Sequence, residues 1–119
     1  MLQGLNFVLV HVPDIAEARN FYTEKLDFVV EDESPDFVQF KQPPAGGAVF
    51  ALSKGEAAPS QGTELWWFVD DADATYAKLV AKNVEVVDQP KDEPFGRTFS
   101  IKDPAGYTLY MLEPGQQAQ

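Results

Sequence analysis

Hydrophobic positions along the chain follow two periods in turn, and the order of those periods repeats. Leu5 to Val12 (LNFVLVHV) is dense in β-branched and aromatic residues and predicts a strand ended by Pro13. Asp14 is followed three residues later by Glu17, the pattern of a helix N-terminus. Ile15, Ala18, Phe21, Tyr22 and Leu26 then recur at helical spacing, and Asp27 stands where a left-handed C-terminal residue is needed. Strands are predicted over Phe28–Glu31, Phe37–Lys41 and Ala48–Ser53, separated by Ser34-Pro35-Asp36 and by Pro43-Pro44-Ala45-Gly46-Gly47. After a polar stretch, 54–62, the series restarts. Glu64–Val69 reads as a strand, and Asp70-Asp71 starts a helix with the stripe Ala72, Thr75, Tyr76, Leu79 and Val80. Asn83 ends that helix, and strands follow at Val84–Val87, Arg97–Lys102 and Thr108–Leu112. Turns are expected at Pro90–Pro94 and Asp103-Pro104-Ala105-Gly106.

The chain is thus a β-α-β-β-β series met twice. An offset of 57 aligns Val12 with Val69 and Asp14 with Asp71, and an offset of 60 aligns Gly46 with Gly106. The expected class is α+β, with two βαβββ modules forming a cup-shaped mixed sheet around a cavity. The expected division is one domain over 1–119: module one at 4–53, a linker at 54–62, module two at 63–113 and a frayed polar tail at 114–119. A half of this size buries too little surface to stand alone, so the halves should share a core or pair through a second chain.

Composition narrows the chemistry. The chain has 119 residues, no cysteine and one histidine, His11. Thiolate metal sites and cysteine nucleophiles are excluded, as is any site needing two imidazoles per chain. Nine Lys and Arg stand against 19 Asp and Glu, a formal charge of −10, which argues against nucleic acid and anionic membranes and suits a cationic ligand. No apolar run approaches the roughly 20 residues of a membrane helix, and no basic leader is present, so a cytoplasmic location is expected.

Three segments carry a resemblance: V-P-D-I-x-x-A-x-x-F-Y with L-D-F (12–28), F-V-D-D-A-D-A (68–74) and F-G-R-T-F-S-I-K-D-P-A-G-Y-T-L (95–109). In this order and spacing the chain resembles the vicinal oxygen chelate superfamily of glyoxalase I, extradiol dioxygenases and the fosfomycin- and bleomycin-resistance proteins. The resemblance implies paired βαβββ modules around a cavity, often completed in a homodimer. It also implies a divalent metal held from two strands of each module. One ligand lies seven residues before each helix-start Asp, at Phe7 and Glu64. Another lies seven residues after the Asp of the Asp-Pro turn, at Tyr110, and the offset of 60 carries that position to Phe50. Phenylalanine offers a metal no lone pair and a neutral phenol is a poor ligand, so neither metal nor other cofactor is expected.

Alternation within the strands then selects a cavity face. Val8, Val10 and Val12 suit packing under a helix, whereas Phe7, Leu9 and His11 form a mixed face. The cavity is expected to gather Phe7, Leu9, His11, Phe50, Leu52, Glu64, Trp66, Phe68, Thr108, Tyr110 and Leu112, with Trp67 turned to a helix. These residues form an aromatic pocket with few polar groups, although the same rings would equally fill a core. Trp66 could stack on a planar or cationic ligand, and Glu64 could meet a cation or sit solvated at a strand start. His11, roughly 13 Å along the strand from Phe7, could contact a ligand, act as a base or be structural. Arg97 could bind a ligand anion or pair with one of the many acids.

The leading reading is a metal-free protein that sequesters a small aromatic compound, cationic or neutral, like the bleomycin-resistance branch; no catalytic residue is assigned. The alternative is a metal-dependent lyase, isomerase or dioxygenase resembling glyoxalase I. A metal-free enzyme using Glu64 or His11 as base, and an interaction domain with a filled interior, stay open.

Overall fold

A computed structural model describes residues 1–59 and 62–115 of the chain; Ser60 and Gln61 of the expected linker, and residues 116–119 of the expected tail, lie outside the described residues. The chain divides into two compact units, Met1–Ala58 and Pro59 onward, with the division inside the expected linker.

The first unit runs β1 (Phe7–Val12), α1 (Ile15–Asn20), a π-helical turn (Phe21–Lys25), β2 (Val30–Ser34), β3 (Phe37–Phe40) and β4 (Val49–Lys54). The second runs β5 (Leu65–Phe68), α2 (Ala72–Ala81), β6 (Glu85–Glu93), β7 (Gly96–Lys102) and β8 (Thr108–Pro114). Each forms one four-stranded mixed sheet, ordered β1-β4-β3-β2 and β5-β8-β7-β6, whose only parallel pair joins the first and last strands. The fold is α+β, and the repeat read from the sequence is present in both topology and junctions.

Those junctions have a common physical cause. Asp14 and Asp71 keep extended backbone while their carboxylates accept the Glu17 and Ala74 N–H groups, each at 3.0 Å, which satisfies donors that the helix itself leaves unpaired. Asp27 and Asn83 end the helices with φ of 62° each. The first helix holds one residue more than the second. Phe28 N–H reaches back six residues to the Tyr22 carbonyl, where Val84 N–H reaches back five to Leu79, and the π-helical turn absorbs the extra residue.

Beneath α1, the fully buried Tyr22 contacts Phe28, Phe40 and Phe50 at ring-centroid distances of 5.4, 5.8 and 5.1 Å. Beneath α2 lie Phe99, Ile101, Leu109 and Met111, all buried, with Tyr76 edge-on to Phe99 at 5.6 Å.

Three expectations about elements change. The strand expected at Phe28–Glu31 runs instead over Val30–Ser34, because Phe28 N–H is still tied to the helix end through the Tyr22 carbonyl. β6 continues through the turn predicted at Pro90–Pro94 and reaches Glu93. It is an edge strand, and its register shifts between Val86 and Asp88 and again between Asp88 and Lys91, so Pro90 costs no regular ladder bond. Pro114, expected in the tail, ends β8, and Gly115 N–H donates to the Phe95 carbonyl. The Asp103-Pro104-Ala105-Gly106 turn forms as expected. The buried Asp103 carboxylate accepts the N–H groups of Ala105 and Tyr107 at 3.0 and 2.9 Å, and Gly106 takes φ +98°.

Candidate functional site

Strand register decides which side chains share a face, because neighbours across a ladder point the same way. In the second unit Trp66 pairs with Tyr110, Tyr110 with Ser100, and Leu112 with both Phe68 and Thr98. Their shared face is turned away from α2. The Trp66 and Tyr110 rings stack at 4.8 Å with 18° between planes, and Phe95 meets Trp66 edge-on at 6.1 Å. Trp66 Nε1–H donates to Glu64 Oε1 at 3.0 Å. Trp66 is 44% exposed and Phe68 79%, so large rings stand on this surface.

Three depressions in this unit meet at Trp66. The largest, about 590 Å³, is lined by Gly62, Thr63, Glu64, Leu65, Tyr107, Thr108 and Tyr110 as well as Trp66. A second, about 240 Å³, runs from Trp66, Phe95 and Tyr110 to Asp88, Lys91, Glu93, Thr98, Phe99 and Ser100. A third, about 270 Å³, lies among Trp66, Trp67, Phe68, Phe95 and Leu112. Glu64, Asp88 and Glu93 put carboxylates around the rings. Lys91, the one cation lining these depressions among the described residues, sits 3.9 Å from Glu93, and Asp88 accepts a long 3.5 Å hydrogen bond from the buried Ser100 hydroxyl.

In the first unit Phe7, Leu9 and His11 pair with Val49, Ala51 and Ser53 on the sheet face turned away from α1. His11 is exposed, and Gly55 approaches it so closely that a Cβ there would stand 3.0 Å from Nδ1.

Three expected site residues are placed elsewhere. Phe50 pairs with Val8 and Leu52 with Val10, so both point beneath α1, Phe50 within the Tyr22 cluster. The cause is a register slip of one. Leu9 pairs with Ala51 where Trp66 pairs with Tyr110, so the offset between the last strands is 59, and Gly106 matches Gly47, not Gly46. One residue of slip turns a side chain to the opposite face. Arg97 also lies on the helix side of its sheet. Its Nε donates to Asp73 at 3.0 Å and its Nη1 to Asp92 at 2.9 Å, and these bonds hold the guanidinium above its ordinary pKa. Of the two roles open to Arg97, pairing with acids is the one it fills here.

The corrected register changes the metal positions implied by the resemblance to Phe7, Ala51, Glu64 and Tyr110. Two hydrocarbons, one phenol and one carboxylate do not fit a resident divalent metal, which needs about three or more good N or O donors. Among the described residues no group of three or more His, Cys, Asp or Glu side chains is placed to hold one.

Phe95, Asp88, Thr98 and Ser100 were not singled out from the sequence as site residues. The signal for Phe95 was its neighbour. Gly96 takes φ +150°, and a Cβ there would collide with the Glu113 carbonyl and press to 2.8 Å of the Gly115 nitrogen. The Phe-Gly pair lets β8 pass close beside the start of β7 and leaves the Phe95 ring beside Trp66. Asp88 lies on the irregular edge strand, where alternation fails as a guide.

A sequence model described as the Glyoxalase/Bleomycin resistance protein/Dioxygenase superfamily matches residues 4–111. The phenazine antibiotic resistance protein EhpR of Enterobacter agglomerans is 28% identical, with 87% of each chain covered. The mycobacterial protein CFP32 of Mycobacterium bovis is 41% identical over 54 residues, and this chain spans only 21% of its length. Among solved structures, TnmS3, an antibiotic binding protein from Streptomyces sp. CB03234, matches with a TM-score of 0.76 and 29% identity, covering 96% of this chain and 98% of its own. Among the described residues no helix is long and apolar enough to cross a membrane.

Proposed function

Because the chain belongs to the Glyoxalase/Bleomycin resistance protein/Dioxygenase superfamily, we propose that it binds and sequesters a flat aromatic compound carrying positive charge, and needs no metal to do so. The observation that carries this reading is the half-exposed Trp66–Tyr110 stack with Phe95 at its edge and carboxylates around it. Stacked indole and phenol rings offer a planar ligand wide contact, and their electron-rich faces attract cations. Asp88 and Glu93, set in a chain of net charge −10, raise the local concentration of a cationic ligand and repel an anionic one. The likeness to EhpR and to TnmS3, proteins named for antibiotic resistance and antibiotic binding, supports the same class of ligand. In this reading the protein works in the cytoplasm as a homodimer with no nucleic-acid partner. The metal-dependent alternative has a single carboxylate to build on at the four positions, and nothing in the donor set favours it.

The test is a titration followed by tryptophan emission, with proflavine as a cationic tricyclic probe and phenazine as a neutral one. Saturable quenching by both is expected, tighter for proflavine and weakening with added salt for proflavine alone. Absence of quenching by either probe would sink the proposal.

A further inference from the structure

Glu64 and Tyr110, the two residues that the second unit contributes to the superfamily's metal positions, both contact the same indole. Tyr110 stacks on Trp66 at 4.8 Å, and Glu64 Oε1 accepts its Nε1–H at 3.0 Å. Glu64 lies just before β5 and two residues before Trp66, close enough for its carboxylate to reach the indole edge. A half-exposed tryptophan on a sheet surface has several rotamers open to it. Here the stack fixes the plane of the ring and the hydrogen bond fixes its direction within that plane.

We infer that Glu64 is a positioning residue: it orients the Trp66 indole against Tyr110, so the one carboxylate left at the metal positions serves to build the aromatic platform. The effect on affinity rests on the binding role proposed above, whereas the effect on the indole does not. A carboxylate that met the ligand's charge directly would behave differently. Its loss would weaken binding of cations alone, whatever happened to the indole. A positioning carboxylate is replaceable by a neutral group that accepts the same hydrogen bond.

The experiment labels the protein with 5-fluorotryptophan and records the fluorine spectrum of wild type, Glu64→Ala and Glu64→Gln. The Trp66 resonance is assigned by its loss in Trp66→Leu, and each variant's fold is checked by its unfolding midpoint. Without ligand, Glu64→Ala should shift the Trp66 resonance and leave that of Trp67 in place, while Glu64→Gln stays close to wild type. Proflavine affinity should fall by about three- to tenfold in Glu64→Ala and by less than about twofold in Glu64→Gln, as for the loss and retention of one hydrogen bond. An unmoved Trp66 resonance in Glu64→Ala overturns the inference, and so does a Glu64→Gln variant as weak as Glu64→Ala. Should proflavine fail to bind the wild type, the proposed function falls for that ligand class, and the ligand-free spectra still decide the role of Glu64.

Discussion

The two units share strand order, helix caps and helix-ending residues, yet at several matched positions the first unit carries a ring beneath its helix and the second carries one on the far face. Beneath its helix the first unit has Tyr22, Phe40 and Phe50, where the second has Leu79, Ile101 and Leu109. On the far face the first has Leu9, Ala51 and Gln39, where the second has Trp66, Tyr110 and Ser100. An aromatic residue contributes to stability when its area is buried and to recognition when a face is left open. Both units bury rings beneath the helix, Phe99 with Tyr76 in the second, but the second also turns a stacked pair, Trp66 and Tyr110, to its open face. Even the ties between helix and sheet are reversed. Arg19 of α1 reaches Glu33 of β2 at 2.7 Å, whereas in the second unit the helix supplies Asp73 and the strand supplies Arg97.

The largest effect should come from removing the ring that the first unit buries. Tyr22→Ala takes away a fully buried side chain and its contacts with Phe28, Phe40 and Phe50. It should cost about 3–5 kcal/mol in denaturant unfolding, as large-to-small aromatic truncations do. A loss below about 1 kcal/mol, the range of an unremarkable surface change, would break the contrast between a ring used for cohesion in the first unit and rings left open in the second.

Gly96→Ala comes next and acts on the second unit. The substitution forces a positive φ on a side-chain residue and presses its Cβ on the Glu113 carbonyl, so it should destabilise by about 2–4 kcal/mol. It should also move Phe95 away from Trp66, weakening proflavine more than its stability loss alone would. Unfolding and titration measured on the same sample separate the two effects.

The smallest effect concerns Glu33. Its hydrogen bond from Arg19 holds the carboxyl below its ordinary range. A depressed folded-state pKa adds stability above the unfolded value and loses it as pH falls through the folded one. The stability difference between wild type and Glu33→Gln should therefore be present at neutral pH and vanish in acid below the usual carboxylate range. Both groups are exposed, so the difference should be small and reduced by salt. A difference that grew on acidification would contradict the pairing.

Much of this was legible in the chain itself. Asp14 with Glu17, Asp71, Asp27 and Asn83 marked both helices, because capping is local chemistry. Alternation in LNFVLVHV placed Phe7, Leu9 and His11 on one face, and the β5 ladder kept Trp66 and Tyr110 together. Long-range register was harder to read. In Gly46-Gly47 either glycine could match Gly106, and the choice moved Phe50 and Leu52 across the sheet. Pro90 looked like a turn because a proline mid-strand usually is one, and only its place on an irregular edge made the strand possible. Arg97 had acids on both sides in sequence, and which of them it met depended on the face that β7 turns to α2. The Glu64 bond to Trp66 was within reach of a pattern two residues apart, but a solvated strand start looks the same in sequence.

The central claim is that ligand binding resides on the Trp66 platform and is independent of metal. Calorimetric titration of proflavine into wild type and Trp66→Leu, each dialysed with and without EDTA, tests it most directly. Trp66→Leu gives the second unit the residue that the first has at the equivalent position, Leu9. The account predicts the same wild-type affinity with and without chelator, and an affinity at least about tenfold lower in Trp66→Leu at unchanged unfolding midpoint, as for loss of an aromatic anchor. Wild-type binding that disappears with chelator, or a Trp66→Leu variant that binds as tightly as wild type, would contradict it.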